Sequence, residues 1–148
     1  MELYNIESER SVLATLMTEP QFAGDLIAIL GKNPKVFYLH LHQQIYRAIL
    51  DNLEQGKPID PVSVGAELQR KGMKGFAQDM YDMIAELIAP ENARYHAQIV
   101  SDMFKRRMIL SIASDAIAAV KQGEEPDVVL GKLSSDIQQL GAVQEARG

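Results

Sequence analysis

Apolar residues recur along this chain at intervals of three and four, the spacing of one helix face, and no segment alternates as a half-buried strand would. From Ile6 to about Thr18, the residues Ile6, Val12, Leu13, Leu16 and Met17 share a face, and Pro20 limits the helix. A short helix from Gln21 to Leu30 turns Phe22, Leu26, Ile27 and Leu30 inward and stops at Gly31, and KNPKVFY is a connector. The segment LHLHQQIYRAILDNLEQG gives an inward stripe of Leu41, Ile45, Tyr46, Ile49 and Leu53. Asp60 followed by Pro61 is a helix start, since the carboxylate can cap free N–H groups and proline has none to leave unpaired. That helix closes at Gly72, and KGMKGFAQ is a loop. Met80, Met83, Ile84, Leu87 and Ile88 then form another helix, ended by Pro90.

A helix of unusual length follows, from about Asn92 to Gln122. In its second half Met103, Leu110, Ala113, Ile117 and Val120 make one stripe. QGEEPD breaks the chain, with Gly123 closing one helix and Pro126 or Asp127 opening the next, where Leu130, Leu133, Ile137 and Leu140 repeat the spacing. Two amphipathic arms on so short a turn fold back as an αα-hairpin. The pattern therefore predicts an all-α chain with a compact helical head over residues 1–102. A C-terminal helical hairpin over 103–141 continues from it through one long helix, and 142–148 is a tail without order. Alone, the hairpin buries little, and a second copy would complete a four-helix bundle. Leu110, Ala113, Ile117, Val120, Leu130, Leu133, Ile137 and Leu140 are accordingly the expected packing and self-association residues.

Length bounds the picture: 148 residues make one domain with a proper core and leave room for one extension. Without cysteine, neither disulfides nor thiolate chemistry is available. No apolar run can span a bilayer and MELYNIESER is acidic where a signal peptide is basic, so the expectation is a cytoplasmic protein without membrane contact. A net charge of −5 argues against a domain built mainly to grip phosphate backbones.

Candidate chemistry is sparse. GKLSSD, Gly131 to Asp136, looks like half of a phosphate-binding P-loop, but Leu133 follows the lysine and Pro126 stands where the first glycine belongs. Gly31-Lys32 and Gly56-Lys57 fail the same test. His40 and His42 point apart on a helix and His96 is isolated, so no metal site is expected. Asp79, Asp82 and Glu86 line a solvated face, and no catalytic constellation is present. The run Lys105, Arg106 and Arg107 is the candidate nucleic-acid contact, alone or with Arg70, Lys71 and Lys74. Consecutive helical cations fan out, however, and Asp102 is placed to pair with Arg106. Arg106 also interrupts the stripe between Met103 and Leu110, where head packing would give way to hairpin packing.

Four segments in order resemble one family. NIESERSVLATLMTEP resembles the opening of the N-terminal domain of DnaB-type replicative DNA helicases. VFYLHLHQQIYRAIL, GKPIDPVSVGAEL and APENARYHAQIV are similar to that family's next landmarks, at nearly its spacing. GFAQDMYDMI and Pro90-Glu91 depart from its pattern, which leaves partner choice open. The resemblance implies a head plus a hairpin that pairs subunits into the collar of a six-membered ring, where primase or a loader engages. It places ATP and Mg in a separate motor domain of the parent, reaches single-stranded DNA only through the parent ring, and implies no cofactor in this chain. The alternative is a stand-alone adaptor: a primase helicase-binding domain, a loader or an inhibitor.

Overall fold

A computed structural model describes residues 2–145, the side chains of 142–145 excepted. Among these residues the chain forms seven α-helices and no strand: α1 Ile6–Thr18, α2 Ala23–Leu30, α3 His40–Glu54, α4 Pro61–Arg70, α5 Ala77–Glu86, α6 Ala93–Lys121 and α7 Pro126–Glu145. Short 3-10 turns at Pro20–Phe22, Pro34–Val36 and Pro90–Asn92 precede α2, α3 and α6. Each begins with a proline, whose fixed φ suits a first turn. Helix α7 takes in the residues expected as tail up to Glu145, and 146–148 lie outside the described residues.

The central element is α1, which packs against α3, α5 and α6. Val12, Leu13, Ala14 and Leu16 lose all exposure, and Thr15 is buried with its hydroxyl donating to the Ser11 carbonyl at 2.8 Å. Phe37, Ile45, Tyr46 and Ile49 of α3 and its connector close one side of the core, and Met80 and Met83 of α5 another. The first half of α6 joins this core through buried Ala93, Ala97, Val100, Ser101 and Phe104, with half-buried Met108 packed at its margin.

Burial also takes in a carboxylate. Glu9 on α1 is 1% exposed; its Oε2 accepts the Tyr38 N–H at 2.7 Å and its Oε1 lies 2.7 Å from His42 Nδ1. The pair ties α1 to the entry of α3 and satisfies a main-chain donor left free by the connector. His96, at the other edge of α1, makes a hydrogen bond of 2.9 Å with the Ser8 hydroxyl. Both histidines are structural in this setting.

Two apolar expectations fail for local reasons. Leu53 is exposed; in the last turn of α3 the chain buries Asn52 instead, whose amide donates to the Pro58 carbonyl at 3.0 Å and holds the following turn. Ile88 is 93% exposed because α5 ends at Glu86 and Leu87 is extended, so the helical period no longer reaches it. The expected Asp102–Arg106 pair does not form: Asp102 accepts from Gln98 at 3.0 Å and the Arg106 guanidinium turns to Met103 Sδ.

Asp60 caps α4 as expected, accepting from the Ser63 N–H at 2.9 Å and from its hydroxyl at 2.8 Å. These bonds hold its carboxyl below the usual carboxylate range. Asp60→Ala should cost about 1 kcal/mol near neutral pH. Because the folded value is the lower one, this contribution is present above the unfolded value and lost as pH falls. Wild type and variant should therefore converge in urea titrations run from about pH 5 down to about pH 2. His42→Ala strands the buried Glu9 carboxylate on one remaining donor and should cost about 3 kcal/mol by the same measurement at neutral pH.

Candidate functional site

Past Phe104 the second half of α6 leaves the core and packs on α7 as the expected hairpin. Its turn is built from a specific main-chain pattern. The Glu124 N–H donates to the Ala119 carbonyl and the Gly123 N–H to the Val120 carbonyl, both at 3.1 Å, which satisfies the last carbonyls of α6. Such a cap needs a left-handed residue, and Gly123 supplies φ of 83°. Pro126 then starts α7, with the Glu125 carbonyl accepting from the Val128 and Val129 N–H groups.

Between the arms, half-buried Ile112, Ala116 and Ala119 of α6 border the same cleft as Val129, Leu133 and Asp136 of α7. Val129 alone among the α7 side chains described is buried. This seam divides the eight expected association residues. Leu133 and Leu140 are half-buried at the seam, whereas Ala113 is exposed and Leu110, Ile117, Val120, Leu130 and Ile137 are between 56% and 63% exposed.

The exposed set lies on one face. Ala113, Ile117 and Val120 each follow a seam residue of α6 by one position, and Leu130 and Ile137 follow Val129 and Asp136 in the same way. One position is about 100° of helical turn. Antiparallel arms are related by a twofold axis normal to the hairpin plane, so an equal offset along each chain direction brings both stripes out on the same side. Leu110, one turn before Ala113, extends it.

The opposite face is polar. Lys132 reaches its neighbour Asp136 at 2.8 Å. That hydrogen bond and charge, with Asp115 from the other arm, hold the ammonium above its usual value. Val128, one position before Val129, belongs to this side.

The basic candidates do not gather. Lys105 is half-buried, Arg106 is exposed, and Arg107 folds back onto the head. Arg70 is held by Glu67 at 2.6 Å and Lys71 by Asp51 at 2.6 Å. Sequence reasoning placed the junction at Arg106; the structure gives it to Arg107, one position on, whose acceptors at Leu3 and Val36 no periodicity reveals. Among the described residues no group of acidic, histidine or cysteine side chains could hold a metal ion, and no helix is long and apolar enough to cross a membrane.

A family model described as the DnaB-like helicase N terminal domain matches residues 1–102. The replicative DNA helicase DnaB of Rhodothermus marinus is 34% identical over 107 residues, 70% of this chain and 11% of the relative. That of Geobacillus stearothermophilus is 29% identical over 143 residues, 92% of this chain and 30% of the relative. The crystal structure of the N-terminal domain of DnaB helicase from Mycobacterium tuberculosis superposes with a TM-score of 0.84 at 28% identity, covering 93% of this chain and 99% of that one. The chain thus spans under a third of the length of these curated relatives.

Gly123→Ala meets no neighbouring atom, so its effect is conformational alone. A side chain at positive φ costs about 1–2 kcal/mol. Hydrogen exchange should show faster amides in α7 and the second half of α6, with the protection of α1 and α3 unchanged.

Proposed function

The chain belongs to the family of DnaB-like helicase N-terminal domains, and from that premise we propose that it is a non-catalytic assembly and docking domain of a replicative DNA helicase. In this reading the hairpin pairs subunits into the collar of the ring, and the collar presents the heads to primase or a loader. ATP hydrolysis, Mg and the grip on single-stranded DNA belong to a separate motor domain of the parent.

One observation carries the pairing step: the hairpin gathers Leu110, Ile117, Val120, Leu130 and Ile137 on one exposed face, while its other face carries Lys132 and Asp136 with Val128 as its one exposed large apolar residue among those described. A surface of this kind, rimmed by polar side chains, is what association buries. Face-to-face stacking of two hairpins shields Leu110, Ile117, Val120, Leu130 and Ile137 of each copy in a four-helix bundle. It also leaves Lys132 and Asp136 of both copies in water. Such an isologous contact is self-complementary by symmetry. The seam residue Leu133 supports the face from behind, so its replacement would disturb the hairpin itself.

The test is the mass of the chain in solution. Wild type should sediment as a dimer or larger, and Ile117→Asp with Ile137→Asp as a monomer of unchanged helix content. Val128→Asp, an equally drastic change on the other face, should leave the mass unaltered. A monomeric wild type, or a doubly charged variant that still associates, would sink the assignment.

A further inference from the structure

Arg107 lies where α6 leaves the head, one turn beyond Phe104, its last buried residue. The guanidinium does not turn to water. Its Nη1 donates to the Leu3 carbonyl at 2.7 Å and its Nη2 to the Val36 carbonyl at 3.1 Å. It also lies 5.5 Å from the Tyr38 ring centre and 5.8 Å from that of Phe104. On the other side Tyr4 stacks on Tyr38, with ring centres 4.2 Å apart and planes within 11°. The N-terminal segment is thus held twice, through its carbonyl and through a ring.

The chemistry of this seat is unusual for a surface cation. Desolvation pulls the Arg107 pKa below its ordinary value, opposed by the field of Glu9, yet among the described residues no carboxylate pairs with it directly. Its rigid fork instead bridges two neutral carbonyls from segments far apart in sequence, a task a point-charged ammonium performs poorly. Beneath it, Tyr38 gives its N–H to Glu9, which also engages His42, so the seat rests on the buried polar pair of the head. The head thus grips α6 through its apolar side chains, through Ser8 on His96 and Asp25 on Arg94, and here through main-chain carbonyls.

We propose that Arg107 is the positioning residue that sets the direction in which α6 leaves the head, and that residues 2–5 are the strap through which this direction is held. Drawing the strap away removes the Leu3 carbonyl and the Tyr4 ring together and lets the hairpin swing. This goes beyond the pairing reading, because it concerns how a single chain aims its hairpin.

The sequence contains no cysteine, so two can be introduced for spin labels without background. Glu54→Cys at the end of α3 and Glu124→Cys at the hairpin turn are both exposed. Dilution of the doubly labelled chain into unlabelled protein makes the measured distance intrachain, whether or not hairpins pair. The parent should give one narrow distribution. Arg107→Ala should broaden it by several ångström, and Arg107→Lys should broaden it too. Tyr4→Ala should broaden it less, and should add nothing in the Arg107→Ala background. An unchanged distribution in an Arg107→Ala chain that still unfolds cooperatively would overturn the proposal. If that variant does not fold, narrow distributions in both Arg107→Lys and Tyr4→Ala would do the same.

Discussion

The organising constraint is that α6 is one unbroken helix with two sets of partners. A helix of 29 residues is about 44 Å long, and the head covers only its first half. Its apolar stripe must therefore face the α1 and α2 core over Ala93 to Phe104 and the α7 seam over Ile112 to Ala119. Beyond Phe104 the burial thins, and half-buried Met108 is the next apolar side chain packed on the core. Arg107 stands beside it, and two main-chain carbonyls add a polar hold at this point.

This division also explains why the hairpin exposes so much apolar surface. The second half of α6 carries more apolar positions than one neighbour can cover. A seam whose α6 side is mostly alanine lets the arms approach but buries little area. The larger residues, Leu110, Ile117 and Val120, stand outside the seam.

Sequence legibility followed the range of the forces involved. Local signals were read well: the α1 limits, the Asp60 cap with Pro61, the closing glycines and the break at QGEEPD all depend on residues within one turn of each other. Leu53 and Ile88 were misplaced because a period says which residues share a face but not where the covering neighbour ends. Glu9 gave no sign of its burial, since its partners Tyr38 and His42 come from another element. The apolar stripe of the hairpin was legible as a pattern. Its separation into seam and outer face was not, because the choice between Ile112 and Ala113 as inward residue is settled by α7.

The length of α6 has a mechanical consequence. From Arg107 to the end of the helix at Lys121 the free arm measures about 21 Å. A tilt of about 10° at its root would carry the tip about 4 Å, close to half the spacing of two packed helices. The arm is a lever rooted beside the Arg107 guanidinium, and a displacement too small to disturb the head's packing is enough to take a distant helix face out of register.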